Sequence, residues 1–201
     1  AFFMKNEEMN VGEEKSGFFK KYFACLKLDT KSIARNAIVA ALYAVLTYAF
    51  FFISYGNLQV RISEFMVLLC FFNPNYIYGL TLGCIVANIY SPAMSAFCSP
   101  LDIVIGTLAT FLSCVCISLS RRMLIASFFP AIFNGLLLAW EFSFVAGDYS
   151  LVFFWTNAGF VAAGEVIAIS ILGYAIFMIM ARKLKNFQTL VDAKFNLPLK
   201  W

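Results

Sequence analysis

The decapeptide YGNLQVRISE, residues 55–64, divides two uncharged stretches and carries the first charged pair inside the apolar part of the chain. A long uncharged stretch precedes it, and the uncharged run Phe65–Phe72 follows it. Arg61 and Glu64 are three residues apart, so on a helix they share one face. Gln59 lies in the turn just before them. These residues form either a salt bridge that fixes a loop or the mouth of a functional site in an otherwise apolar protein.

The composition is that of an integral membrane protein. Of the 201 residues, 62% are hydrophobic and 13% are charged, about half the charged fraction of an average soluble domain. No long polar segment is present that could form a second, aqueous domain. Histidine is absent, which removes the commonest general base and metal ligand. The six cysteines contain no CxxC pair, so neither a metal site nor a redox site is expected.

Apolar segments and turn signals predict an all-α bundle of six transmembrane helices. The second and third segments are short, so a tilted or re-entrant hairpin is an alternative to two full crossings. The predicted helices are Asn36–Ile53, Arg61–Phe72, Tyr76–Tyr90, Ile103–Ser120, Met123–Trp140 and Leu151–Ala181. Residues 1–31 form a leader that is either amphipathic or disordered, residues 32–185 form the membrane domain, and residues 186–201 form a polar tail.

The basic residues predict which side of the membrane each end of the chain occupies. Apart from Arg61, every Lys and Arg lies near the N-terminus, in the turn at Arg121 and Arg122, or near the C-terminus. By the positive-inside rule these regions are cytoplasmic, so the residues around Arg61 face outward. Trp140 and Trp155 flank the predicted outer turn, as interfacial aromatic residues do.

Polar and charged side chains collect in the outer half of the predicted bundle. A charged group at membrane depth costs roughly 2.5–3.5 kcal/mol on insertion scales, so a cluster on one side indicates a site that is open to the outside. The candidate substrate-binding residues are Gln59, Arg61, Glu64, Asn88, Asp102, Asn134, Trp140, Glu141 and Glu165.

Several of these residues also have a structural interpretation. Asp102 follows Pro100 and could cap the fourth helix. Asn134 could bond a neighbouring backbone, and Glu141 could hold its carboxylate in water. Glu165 is the deepest charge, and a binding role is favoured there. Carboxylates, amides and aromatic rings together suit a small polar heterocycle, although sugars and amino acids fit the same residue types.

Small residues repeat at four-residue spacing on the first predicted helix. Ala37 pairs in this way with Ala41, and Ala40 pairs with Ala44. The spacing lets another helix approach closely, and that helix is either a partner subunit or a neighbour within the bundle. From spacing alone, packing within the bundle is the favoured interpretation.

Four segments together resemble one membrane-protein family. They are Gln59-Val-Arg-Ile-Ser-Glu64, Gly79-Leu-Thr-Leu-Gly-Cys-Ile-Val-Ala-Asn88, Asp102-Ile-Val-Ile-Gly-Thr-Leu-Ala-Thr110 and Gly164-Glu165. In this order they resemble the QueT transporters, the substrate-binding subunits (S components) of energy-coupling factor transporters for queuosine precursors. The resemblance runs from Asn36 to Lys185, which is nearly the whole membrane part.

The resemblance implies a six-helix subunit of a bacterial plasma membrane that captures a 7-deazaguanine, either prequeuosine base or queuine, at its outer face. Its implied partners are the coupling protein EcfT and two ATPases, EcfA and EcfA′, with no nucleic acid. Ala37 and Ala41 match the small-residue motif that such subunits use against the coupling protein. The chain would bind no metal or cofactor itself. ATP and Mg would act in the partner ATPases, since the sequence contains no GxxxxGK(S/T) phosphate loop.

We expect the guanine-like N–H edge, the ring carbonyl and the amine of the substrate to have separate partners. These are Glu141 or Glu165 for the edge, Gln59 or Asn134 for the carbonyl, and Asp102 or Glu64 for the amine. One alternative is an S component for another vitamin, which would show no preference for deazapurines. Another is an intramembrane enzyme, which needs a nucleophile–base or metal constellation that a chain without histidine offers poorly.

Overall fold

The computed structural model describes residues 20–50, 60–94, 99–183 and 186–193, and within these ranges the chain is helical without any strand. A short helical segment at residues 20–25 precedes the bundle. The helices are α1 (Thr30–Ala49), α2 (Ile62–Phe72), α3 (Tyr76–Met94), α4 (Asp102–Leu119), α5 (Met123–Ala146), α6 (Leu151–Lys183) and the single turn α7 (Phe187–Leu190).

Four of these helices, α1, α4, α5 and α6, are long and apolar enough to cross a membrane. Helix α2 and the apolar part of α3, Tyr76–Ile89, are shorter. The predicted all-α membrane architecture is confirmed at this level. The count of six crossings and the cytoplasmic position of both termini stay predictions.

The polarity of the fold is inverted relative to a soluble protein. Large apolar side chains such as Ile38, Val104 and Val152 are exposed on the outer faces of the helices, whereas Glu64 and Glu141 are completely buried. Lipid tails tolerate apolar surface but not unpaired charge, so this distribution is that of a bundle whose solvent is the hydrocarbon core.

Helix α1 begins at Thr30, six residues before the predicted start at Asn36, because Asp29 caps it. The Asp29 carboxylate accepts from the Ser32 backbone N–H at 3.1 Å, and the Ser32 hydroxyl oxygen accepts from the Asp29 N–H at 2.9 Å. This reciprocal pair satisfies two N–H groups that a helix start leaves open. The sequence interpretation located the start at the apolar run and missed this capping box.

Helix α2 is the central element of the bundle. Its first part, Ile62–Leu68, is a 3₁₀ helix, and its α-helical end, Leu69–Phe72, stops before Asn73 and Pro74. Side chains are buried on every face of α2, which is typical of a helix enclosed by others. Helices α1, α3, α4, α5 and α6 form a partial ring in that order, and α2 packs against α1, α3, α4 and α6.

Two irregular regions shape the outer helices. Helix α5 is interrupted at Ser127 and Phe128, just before Pro130, and it ends where Gly147 adopts a φ of +68°. Helix α6 widens to a π-helix over Val166–Gly173, directly after Glu165. The predicted end of the fifth helix, Trp140, is therefore too early, because the helix continues to Ala146 and ends at the left-handed cap formed by Gly147.

Polar side chains from distant parts of the chain hold together the end of the bundle at which α1 begins. Arg35 forms a salt bridge with Asp192, and the Asn73 amide donates to the Asp192 carboxylate at 3.0 Å. Phe187 and Val191 are buried in the apolar core. The predicted polar tail therefore contributes apolar side chains to the bundle as far as residue 193.

Candidate functional site

Helix α2 carries Arg61 and Glu64 into the centre of the bundle, where both side chains are buried. One carboxylate oxygen of Glu64, Oε1, accepts hydrogen bonds from the Tyr43 hydroxyl of α1 and from the Thr110 hydroxyl of α4, the latter at 3.3 Å. Near the start of α2, the Ser63 and Thr47 hydroxyls are hydrogen-bonded at 2.7 Å. Helices α1 and α4 thus hold α2 through its polar residues.

Arg61 faces several acids at once. Its guanidinium interacts electrostatically with the carboxyl groups of Glu64, Glu141 and Glu165. Gly106 of α4 lies next to it: a Cβ atom at that position would lie 3.9 Å from Arg61 Nη1, an ordinary contact distance, but only 3.0 Å from Asn88 Nδ2, so the glycine makes room for Asn88. The positive charge therefore lies among acids that come from three different helices.

Asn88 and Asp102 join α3 to the start of α4. The Asn88 amide donates to the backbone oxygen of Asp102 at 2.9 Å and contacts Cys84 Sγ at 3.4 Å. The Asp102 carboxylate accepts from the backbone N–H of Ser99 through Oδ2 at 3.2 Å. The prediction that Asp102 caps the helix is therefore wrong: the N-cap residue is Leu101, without a side-chain cap, and the Asp102 carboxylate fixes the turn before α4.

Asn134 and Glu165 connect α5 to α6. The Asn134 side-chain nitrogen donates to Glu165 Oε1 at 2.6 Å, and both side chains are buried. An amide nitrogen has two N–H groups, so one of them is left for a further acceptor. The second oxygen of Glu165, Oε2, accepts no hydrogen bond within the described part of the chain.

Glu141 is the least satisfied acid of the cluster. Its side chain is 0% exposed, which contradicts the interpretation that its carboxylate lies in water. Asp102, the Ser99 hydroxyl and Arg61 lie close enough to interact with it electrostatically. Among the described residues, however, none donates a well-formed hydrogen bond to either carboxylate oxygen.

The structure therefore brings seven of the predicted site residues into one buried polar cluster, hereafter the acid cluster. They are Arg61, Glu64, Asn88, Asp102, Asn134, Glu141 and Glu165. Four carboxyl groups and one guanidinium lie in a low-dielectric interior, so the cluster suits a ligand that offers N–H donors or a positive charge. In the described ranges no group of three or more Cys, Asp or Glu is arranged to hold a metal ion.

Of the other two predicted residues, one lies outside the described residues and one lies on the surface. Gln59, like Tyr55, lies outside the described residues. Trp140 is 56% exposed and stacks on Phe144 with ring centroids 6.0 Å apart, on the outer face of α5. Trp155 also lies on the surface, so neither tryptophan is placed to stack on a buried ring.

The two alanine pairs of α1 lie on different faces. Ala40 and Ala44 are buried, and Ala40 packs against Gly83 of α3, where a Cβ atom would lie 3.0 Å from the Ala40 carbonyl oxygen. Ala37 and Ala41 are exposed on the outer surface. Packing within the bundle thus accounts for the first pair but not for the second.

Sequence reasoning missed Tyr43, Thr110 and Ser99. For Thr110 a signal was present, because Asp102, Gly106 and Thr110 follow one another at four-residue intervals and so lie on one face of α4. For Tyr43 the signal was weaker, a tyrosine four residues before Thr47 in an apolar helix. Neither pattern distinguishes a site from ordinary packing without the partner helix.

The model of the QueT transporter family matches residues 33–182 of this chain. A curated relative, the queuosine precursor transporter QueT of Lactococcus lactis subsp. cremoris, is 40% identical over 86 residues, which are 42% of this chain and 47% of the relative. The chain thus spans about half the length of that relative. No solved structure gives a significant match.

Proposed function

This chain belongs to the QueT transporter family, and from that premise we propose that it is a substrate-binding subunit for a queuosine precursor. In this proposal it captures a 7-deazaguanine base at the outer face of a bacterial plasma membrane. The observation that carries the proposal is the acid cluster, which gathers four carboxyl groups, one guanidinium and two amides inside an apolar bundle. A single role in packing would not require so many buried acids.

The paired side chains of Asn134 and Glu165 suit the guanine-like edge of such a base. A carboxylate accepts from adjacent N–H groups, and Glu165 keeps one oxygen without a donor among the described residues. The second N–H of the Asn134 amide can donate to the ring carbonyl. Gln59 remains the other candidate for the carbonyl.

The position of the acid cluster along the helices supports a substrate entrance on the outer side of the membrane. Arg61 and Asp102 lie at the starts of α2 and α4, and Glu141 lies near the end of α5. These ends are opposite to the basic turn at Arg121 and Arg122, which the positive-inside rule assigns to the cytoplasm. We therefore place the substrate entrance on the outer side, with six crossings and both termini inside.

Energy for uptake would come from partner subunits, the coupling protein EcfT and the ATPases EcfA and EcfA′. The sequence contains no phosphate-binding loop of its own. Ala37 and Ala41 form an exposed small-residue face on α1, which allows close approach of a partner helix. We assign this face, and not Ala40 and Ala44, to the contact with the coupling protein.

The test is isothermal titration of the detergent-purified chain, without partners, against prequeuosine base, queuine and guanine. We expect tight binding of a deazapurine and much weaker binding of guanine. Glu165→Gln should weaken deazapurine binding by roughly 1.5–3 kcal/mol, the value of a hydrogen bond to a charged group. Asp148→Asn, an exposed acid in the turn after α5, is the control and should bind like the unmodified chain.

Two results would contradict the proposal at different levels. If none of the three bases binds, the assignment of a queuosine precursor as substrate fails. If a deazapurine binds but Glu165→Gln leaves the affinity unchanged, only the role of that carboxylate fails.

A further inference from the structure

Asp102 and Glu141 form a distinct part of the acid cluster. Both side chains are buried, and their carboxyl groups interact electrostatically although they come from different helices, α4 and α5. Their oxygens Oδ1 of Asp102 and Oε1 and Oε2 of Glu141 accept no hydrogen bond within the ranges that the structure describes. This pair is hereafter the outer acid pair.

The other two acids of the cluster, Glu64 and Glu165, accept hydrogen bonds from side chains of the bundle. Glu64 accepts from two hydroxyl groups, those of Tyr43 and Thr110, and Glu165 accepts from the Asn134 amide. Arg61 interacts with Glu64, Glu141 and Glu165 and cannot compensate every acid alone. A buried carboxylate without donors is costly, so the outer acid pair takes up a proton when no ligand is bound and is suited to a cation or to N–H donors from a ligand.

We infer that the outer acid pair is the subsite for a protonated amine on the arm of the substrate, and that it selects cationic over neutral precursors. This inference rests on the proposed function and assigns the amine to Asp102 and Glu141 rather than to Glu64. A primary ammonium group has three N–H donors, which match the three carboxylate oxygens of the pair that lack a donor.

The spacing along α5 supports two separate subsites for one ligand. Asn134 and Glu141 are seven residues apart, which is about 10 Å along a helix axis. That distance is comparable to the long dimension of a bicyclic base with an aminomethyl arm, once hydrogen bonds at both ends are included. Asn134 and Glu165 would hold the guanine-like edge while the outer acid pair holds the amine.

The experiment compares two bases that share one ring system and differ in the charge of the arm. Prequeuosine base carries an aminomethyl group, whereas 7-cyano-7-deazaguanine carries a neutral nitrile. By titration of the purified full chain we expect the amine to bind at least about a hundredfold more tightly than the nitrile, as two charge-assisted hydrogen bonds would give. This comparison needs no variant and so does not depend on the folding of a mutant.

Variants then locate the selectivity. In Asp102→Asn and Glu141→Gln the preference for the amine should fall to about tenfold or less, since each replaces a charged acceptor by a neutral one of the same shape. Glu165→Gln is the matched control, and it should weaken both bases equally because it faces the shared ring.

The outcomes separate the inference from the proposed function. Equal affinity of the unmodified chain for both bases would overturn the inference while leaving a deazapurine-binding subunit in place. Equal weakening of both bases by Glu141→Gln would overturn the assignment of the amine to that residue. Failure of both bases to bind would overturn the proposed function and the inference together.

Discussion

The Tyr43 hydroxyl of α1 donates a hydrogen bond to the Glu64 carboxylate of α2, and both side chains are completely buried. This contact ties the first long helix to the central helix at the level of the acid cluster. Because α1 also carries the exposed Ala37 and Ala41, the same helix has one face toward the acid cluster and another toward the lipid.

Removal of the Tyr43 hydroxyl should destabilise the bundle. In Tyr43→Phe the Glu64 carboxylate loses one of the two hydroxyl donors that it has among the described residues, and loss of a partner for a buried polar group costs about 1–3 kcal/mol. Thermal unfolding in detergent measures the effect. Tyr78→Phe removes a hydroxyl from an exposed side chain of α3 and should leave the unfolding temperature unchanged. Equal unfolding temperatures for the two variants would contradict a stabilising Tyr43–Glu64 contact.

Two glycine-to-alanine variants should have opposite effects. A Cβ atom at Gly83 would lie 2.9 Å from Tyr43 Cβ and 3.0 Å from the Ala40 carbonyl oxygen, so α1 and α3 must separate. Overpacking of this kind costs about 1–3 kcal/mol.

A Cβ atom at Gly159 meets nothing within 4 Å, so Gly159→Ala should stabilise α6 by about 0.5–1 kcal/mol through helix propensity. Chemical unfolding in mild detergent gives both values, and a stable Gly83→Ala protein would show that the α1–α3 contact is looser.

The two alanine pairs of α1 should respond differently to leucine. Ala41→Leu adds bulk on the exposed face, so the isolated chain should unfold as before while co-purification with the proposed partner, the coupling protein, decreases. Ala40→Leu adds bulk at the buried contact with Gly83 and should lower the unfolding temperature of the isolated chain. Unchanged co-purification of the Ala41→Leu protein would argue against this face as the partner surface.

At position 192, replacement of the aspartate by glycine should reduce stability less than replacement by alanine. Its φ is +45°, in the left-handed region, and its carboxylate binds Arg35 and Asn73. Asp192→Ala and Asp192→Gly both lose these partly exposed contacts, a loss of about 1 kcal/mol or less for the ion pair. The glycine variant should nevertheless be more stable than the alanine variant by about 1–2 kcal/mol, since it adopts this φ without steric cost. Thermal unfolding of the pair decides this, and equal stability would argue against a left-handed residue there.

Much of the architecture could be predicted from local sequence. Apolar segments and turn signals located the helices of the bundle, since hydrophobicity and turn chemistry are properties of neighbouring residues. Helix ends were less accurate. Asp29 and Ser32 start α1 through a capping box, and the 3₁₀ part of α2 depends on the helices around it.

Residue type predicted which residues belong to the acid cluster more reliably than it predicted what each of them binds. A buried Arg, Asn or Glu in an apolar helix is costly, and the seven members of the acid cluster were recognisable for that reason alone. Residue type did not predict the position of Trp140, because an amphipathic aromatic side chain suits an exposed surface as well as a binding site. Trp140 lies on the surface.

The sequence by itself determined that this is an all-α membrane protein with acids concentrated in one half of its helices. Composition determines the cost of burying each residue, and the spacing of residues determines the helical periodicity. Only the tertiary structure decided which side chain forms a hydrogen bond with each acid. Tyr43 with Glu64 and Asn134 with Glu165 are contacts between helices, and their partners lie 21 and 31 residues apart along the chain. The rotation of each helix about its axis decides such contacts, and that rotation is set by the packing of all the helices together.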